Sequence, residues 1–262
     1  MAKKRFEKTF VYKDEINDDF SLNNIEAKPI EDTFKFYNSN IIARFFNMLF
    51  RQCIIIPILF LATKCNNSTK VVNRKLLKQV KGKGYFLYSN HTCNFDPINH
   101  AVMIDHLRYS AIMAGPDSFS IKGIRWLIKA LGAFPTPSNR NLYKPFRDCM
   151  EYHISKRHKI IVYPEAHIWP YYTGIRDFKV NSFKYPYDLK CPIMVATTTY
   201  RKRKYRKAPK IVIYLDGPFY PDLSVDCLTA AEILRKKAYD TMCLRANIKE
   251  NYAINNYIKD KV

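Results

Sequence analysis

The chain has 262 residues, 47% of them hydrophobic, and carries 44 Lys and Arg against 23 Asp and Glu, a formal net charge of +21. That length suits one sizeable core with extensions, and the composition excludes a low-complexity chain. The charge favours an anionic partner: nucleic acid, a phospholipid surface or a phosphorylated substrate.

Residues 1–20 are polar and lack an apolar run of signal-peptide length. Residues 1–40 read as an extended polar lead-in. Residues 41–63, IIARFFNMLFRQCIIIPILFLAT, are apolar around most of a helix surface. The uninterrupted apolar run is only Cys53–Ala62 and contains Pro57, short of the ~20 residues a spanning helix needs. Extending it back to Ile41 brings in Arg44 and Arg51, and an arginine at mid-bilayer costs about 2.5–3.5 kcal/mol. The segment therefore reads as an interfacial or partly inserted helix with its arginines reaching up to headgroups. The bland alternative is a core helix packed on a sheet.

Residues 64–262 read as one catalytic domain. Tyr85–Ser89 predicts a strand, Asp96–Leu107 a helix, Tyr109–Ala114 a strand, Ser118–Leu131 a helix and Ala133–Thr136 a short strand. Lys144–Lys156 predicts a helix, Lys159–Tyr163 a strand, Val180–Leu189 a helix broken by Pro186, and Ile193–Tyr200 and Lys210–Leu215 strands. Val225–Ala246 closes the series as a long helix. Short apolar runs alternating with amphipathic stretches predict an α/β fold: a central mixed, largely parallel sheet flanked by helices. In such sheets sites gather where strands end, so the turns after Ser89, Ala114, Thr136 and Tyr163 are expected near one another. The seven cysteines are odd in number and form no C-x-x-C, which argues against a disulfide framework or a zinc site. No metal or bound cofactor is expected.

Asn90-His91 follows the 85–89 strand, and Asp96 lies five residues beyond His91. Asp96-Pro97 has a plain structural explanation, an N-cap followed by proline at the first helical position. The strand-turn-helix context adds a chemical one. It leaves a histidine on a loop at a sheet edge beside a carboxylate that can fix its tautomer, the arrangement of a general base. Further on, Tyr163-Pro164-Glu165-Ala166-His167 ends another apolar strand, and Trp169-Pro170-Tyr171-Tyr172 leads to Arg176, Lys179 and Lys184. Aromatics interleaved with cations line a phosphate-and-lipid cleft, stack bases, or form a crowded core edge.

Asn90-His91 with Asp96, Tyr163-Pro164-Glu165 some 70 residues later, and Cys191-Pro192-Ile193 before a strand resemble, in order and spacing, the blocks of the lysophospholipid acyltransferase family, which includes the 1-acylglycerol-3-phosphate acyltransferases. The resemblance covers roughly residues 80–200. It implies transfer of an acyl chain from an acyl-CoA or acyl-carrier-protein thioester to a lysophospholipid hydroxyl. His91 would be the base and Asp96 its orienter, with no acyl-enzyme. Asn90, Thr92 and Glu165 would shape the substrate site. The family's arginines are missing: Ala166-His167-Ile168 stands where its third block reads Gly-Thr-Arg, and the second block lacks its arginine after the short strand. Arg176 and Arg140 are the nearest replacements. Cys93 is expected to be structural or incidental.

The run Arg201-Lys202-Arg203-Lys204-Tyr205-Arg206-Lys207 reads as a solvated hairpin loop, or as a second anchor on an anionic bilayer beside residues 41–63. The expected location is peripheral or monotopic, at the cytoplasmic face of a membrane. Two other classes compete. A nucleic-acid-binding protein would use the basic surface, but no zinc finger, RRM or helix-turn-helix signature supports it, so no nucleic-acid partner is expected. A thioesterase-like hydrolase would use the same histidine on water; the chain has no G-x-S-x-G elbow.

Overall fold

The computed structural model describes residues 7–21, 27–36, 40–121, 125–206 and 208–260. Strand β1 (Thr9–Tyr12) pairs in parallel with β9 (Asn256–Lys259) in a small ribbon. The main sheet holds β2 (Lys70–Val72), β3 (Tyr85–Ser89), β4 (Ser110–Ala114), β5 (Ala133–Pro135), β6 (Lys159–Val162), β7 (Ile193–Arg201) and β8 (Lys210–Phe219). Its order is β2-β8-β7-β3-β6-β4-β5. Among these pairings only β7 with β8 is antiparallel. Strands β3, β4, β5, β6 and β7 therefore end at one edge, and the turns after Ser89 and Val162 leave neighbouring strands there.

Buried parallel strands read as continuous apolar runs because helices cover both faces. The strand period still sorts the side chains. Phe86, Tyr88, Ile160, Val162, Ile193 and Val195 point to one face, where they meet α6 (Tyr143–Ser155) and α8 (Cys227–Ala246). Tyr85, Leu87, Ile161, Met194 and Ala196 point to the other, toward α3 (Asp96–Met103). At the foot of β3, Gly84 lets the chain pass α6 closely, since a Cβ there would lie 2.5 Å from the Ile154 carbonyl oxygen.

Several helix limits differ from expectation for identifiable reasons. Helix α3 stops at Met103, not Leu107. Its open carbonyls are capped by the buried Lys159 ammonium, which donates to the carbonyls of His100 (3.4 Å), Ala101 (3.1 Å) and Asp105 (3.2 Å), and to that of Ile104. A cation suits a helix C-terminus, although burial pulls this lysine down to about 7. Where a helix is expected over 118–131, the described residues hold two short ones, α4 (Pro116–Ser120), started by its proline, and α5 (Arg125–Ala130), and residues 122–124 lie outside the described residues. The stretch before Cys191 is a 3-10 turn, Val180–Phe183, followed by α7 (Lys184–Asp188).

The apolar segment is a single 27-residue helix over Ile41–Asn67, about 40 Å long at 1.5 Å per residue. It runs from α1 (Ile41–Phe50) through a π-helical turn at Arg51–Ile55 into α2 (Ile56–Asn67). A proline inside an α-helix clashes with the carbonyl four residues back; here that residue, Cys53, lies in the wider turn, which absorbs Pro57. Most of the helix stands free of the domain, exposing Ile41, Ile42, Phe45, Phe46, Ile58 and Leu61. It is long and apolar enough to cross a membrane and is a candidate membrane-associating segment.

Its arginines do not reach outward as expected. Arg51 is 1% exposed. Its guanidinium donates to the carbonyls of Ser110 and Leu131, both at 3.2 Å, and lies 4.3 Å from the Tyr109 ring centroid. Arg44 lies over Tyr152. Arg51 thus pins the helix to the foot of the sheet, because its charge is satisfied there by two carbonyls and an aromatic face.

Residues 7–21 and 27–36 also pack on the domain. Ile30, Phe34 and Phe36 join the core, and Phe10, Tyr12 and Phe20 gather with Tyr257 around Trp169.

Burial holds His100 down to about 4 and His153 to about 3. Histidine in the unfolded chain titrates near 6.5, so below that pH the unfolded chain takes up protons that the fold refuses. Stability present above pH 6.5 is then lost as pH falls. Between pH 6.5 and 5 each of the two withdraws up to about 2 kcal/mol. Thermal unfolding at pH 7 and pH 5 checks this, and equal melting temperatures contradict it.

Candidate active site

The turn after β3 is held from three sides. The Asn90 side chain behaves as an extra rung on β7: its oxygen accepts from Thr198 N–H at 2.8 Å and its amide donates to the Thr198 carbonyl at 3.1 Å. The Thr92 hydroxyl is 2.6 Å from that of Tyr200. Tyr171 N–H donates to the Thr92 carbonyl at 2.8 Å, and Trp169 N–H to that of His91 at 3.4 Å. Asn90 and Thr92, expected to line a substrate site, are both 1% exposed, and their polar groups are used in holding the turn.

Asp96 does not cap its own helix; Phe95 is the N-cap residue and Asp96 is the first residue of α3. Its carboxylate turns back instead. Oδ2 accepts from Thr92 N–H at 2.7 Å and Cys93 N–H at 2.8 Å, and lies 3.4 Å from His91 Nδ1. Oδ1 is buried with no hydrogen-bond partner among the described residues. The carboxylate is thus pre-set by backbone amides before it meets the imidazole. The His91 side chain remains 12% exposed. Burial pushes the Cys93 thiol up to about 12, so it is no nucleophile at neutral pH.

Glu165, on the neighbouring turn after β6, grips the same histidine by its backbone. Oε2 accepts from His91 N–H at 3.0 Å, and Oε1 from Arg176 N–H at 3.0 Å. Burial pushes this carboxyl up, against the downward pull of Arg176 and of those two amides. The Arg176 guanidinium lies 3.4 Å from Oε2, with no side-chain exposure. It also donates to the His167 carbonyl and stacks over Trp169, 5.1 Å from the ring centroid. The structure therefore places Arg176 inside the fold as the counter-charge of Glu165, not on a surface that an acceptor phosphate can reach. Arg140 is exposed at the 3-10 turn Arg140–Leu142 after β5, and among the described residues no hydrogen bond or ion pair joins it to the His91 turn.

Two residues to which the sequence assigns no role in the site, Tyr163 and His100, support His91, the first beneath its ring and the second behind the first. The Tyr163 ring stacks on the imidazole with centroids 4.1 Å apart, and the Tyr163 hydroxyl is 2.7 Å from His100 Nδ1. His100 lies four residues after Asp96 on α3. Positions i and i+4 share a helix face, so the D-x-x-x-H spacing was a legible signal.

Residues 65–198, about half the chain, match the acyltransferase family. Among solved structures, the 1-acyl-sn-glycerophosphate (LPA) acyltransferase PlsC from Thermotoga maritima is similar, with a TM-score of 0.57 and 15% identity over 78% of this chain and 86% of that one. No curated protein matches. The matched span takes in both turns, from the β3 turn bearing His91 to the β6 turn bearing Glu165, and the sheet around them is of the same fold as PlsC. The chain belongs to the acyltransferase family.

Proposed function

We propose that the protein transfers a fatty acyl chain from an acyl-CoA or acyl-carrier-protein thioester to the hydroxyl of a lysophospholipid such as 1-acylglycerol-3-phosphate. One observation carries this reading: a partly exposed histidine at the sheet edge, its Nδ1 toward a buried carboxylate already fixed by two amides. In the proposed step the acceptor O–H gives its proton to His91 Nε2 as the oxygen attacks the thioester carbonyl. The tetrahedral species then breaks its C–S bond, and His91 returns the proton to the thiolate. Asp96 keeps the Nδ1–H tautomer. No acyl-enzyme forms. Product analysis by thin-layer chromatography, with labelled acyl-CoA offered to a panel of lysolipids, tests the reading. An acylated lysophospholipid supports it, and thioester consumption independent of any acceptor favours hydrolysis.

We place the reaction at an anionic membrane surface, on the cytoplasmic face. Two features on neighbouring elements support this. The long helix exposes an apolar surface, and the basic loop after β7 touches its C-terminal end: Arg203 and Arg206 donate to the carbonyls of Asn66 (2.7 Å) and Cys65 (3.1 Å). Near anionic lipid each basic residue adds about 1 kcal/mol. The protein should float with phosphatidylglycerol vesicles and less so with neutral ones. Salt, or Phe46→Ser with Leu61→Ser, should weaken that binding. Equal flotation with both lipids at every salt concentration contradicts an electrostatic contribution. In domain terms, residues 41–63 form the membrane-associating part, residues 64–262 the acyltransferase domain, and residues 1–40 an extension.

A further inference from the structure

The Asp96 contact does not by itself fix the His91 ring. It is long, at 3.4 Å, and falls on the oxygen already bound to two amides. Rotation of the imidazole about χ2 needs a second restraint, and the structure supplies one on the ring face. The Tyr163 and His91 planes lie 24° apart at 4.1 Å between centroids. A phenol ring could slide unless its far end were held. The Tyr163 hydroxyl is held by His100 Nδ1 at 2.7 Å, and His100 Nε2 lies 2.9 Å from Thr198 Oγ1. Thr198 is in turn clamped by the side chain of Asn90, the residue before His91. The contacts close a ring: Asn90, Thr198, His100, Tyr163, His91.

We propose that Tyr163 and His100 are positioning residues for acyl transfer, a neutral aromatic brace that holds the His91 ring in plane and favours the imidazolium formed when that ring takes a proton. The role in turnover rests on the reading of His91 as the base. A cation over an aromatic face is stabilised by the ring quadrupole, most strongly where water is excluded. His100 suits the anchor because burial keeps it uncharged down to about pH 4, so it adds no positive charge beside His91. The other groups facing His91 are Asp96 on α3, Glu165 with its counter-charge Arg176 on the turn after β6, and the neutral Cys93 thiol of its own turn.

The test uses the full-length protein with Tyr163→Leu, which removes the ring, and Tyr163→Phe, which keeps the ring and removes the anchor. Tyr163→Leu should lower kcat roughly 3- to 30-fold, with KM for both substrates nearly unchanged. The acid limb of its kcat–pH profile should move to lower pH by about half to one unit, since the imidazolium has lost its aromatic face. Tyr163→Phe should lower kcat about two- to threefold, the share of a lost neutral hydrogen bond, and leave the acid limb in place. A second readout needs no turnover. Stacking shifts the His91 ring protons upfield in the NMR spectrum; Tyr163→Leu should abolish that shift and Tyr163→Phe should reduce it. Wild-type pH profile and ring shift in Tyr163→Leu would overturn the brace, as would a loss confined to KM. If Tyr163→Leu does not fold, Tyr163→Phe decides: wild-type kcat and ring shift together overturn the anchor. An active His91→Ala enzyme would remove the base reading, while the ring shifts would still test the brace.

Discussion

His91→Ala lowers acyl transfer by roughly 10²- to 10⁴-fold, the range a positioned acid–base group contributes, while the protein keeps its fold. The main-chain contacts of this turn do not involve the imidazole: Glu165 accepts from His91 N–H, and Trp169 donates to the His91 carbonyl. What the variant loses is the proton acceptor and one stacked ring. Asp96→Asn should cost about 10²-fold, because the imidazolium formed on proton transfer loses the negative charge facing its Nδ1. The asparagine oxygen can take the place of Oδ2 on the two amides, and its NH2 the place of the unpartnered Oδ1. The turn therefore survives without the charge. Turnover of labelled acyl-CoA with lysophosphatidate, beside a thermal melt, checks both variants. Near-normal turnover in a folded His91→Ala enzyme would falsify the assigned role.

Arg176→Met destabilises the protein by about 3–5 kcal/mol, the cost of leaving one member of a buried ion pair without its partner. Glu165 and Arg176 are both almost fully buried, so without the guanidinium the carboxylate keeps only its amide donors. The damage should pass to the site, because the same carboxylate holds the His91 N–H. The double variant Glu165→Gln with Arg176→Met should be less destabilised than the sum of the two singles. Chemical denaturation of the four proteins measures that coupling. A stable Arg176→Met protein whose only defect is a raised KM for a phosphorylated acceptor would instead make Arg176 a phosphate reader.

These two arginines show where sequence reasoning ends. The sequence offers Arg176 as a replacement for a missing family arginine and Arg51 as a cation reaching lipid headgroups. Both are buried, against Glu165 and Trp169 and against two carbonyls and Tyr109. Their partners lie 7 to 80 residues away in the chain, and no local pattern reports such a distance. Glu165 was legible as a site residue from its place in the Tyr-Pro-Glu block. That it grips the backbone of His91 follows only from β3 and β6 being neighbours.

What the sequence by itself determined is what depends on short-range order. Alternating apolar and amphipathic runs dictate an α/β sheet covered on both faces. The block order from Asn90 to Ile193 carries the family, and His91 and Asp96, five residues apart, meet because a single turn joins them. The tertiary structure decided what depends on strand order. It set the turns after β3 and β6 side by side, placed Tyr163 under the imidazole with His100 holding its hydroxyl, and turned Asp96 from a helix cap into a carboxylate held by loop amides. It also made the apolar segment one continuous helix, since a π turn ahead of Pro57 relieves the clash that the proline would otherwise impose. Burial is the physical reason for the difference. A side chain's charge and shape are local properties, but whether water or another residue satisfies them is settled only when distant segments pack.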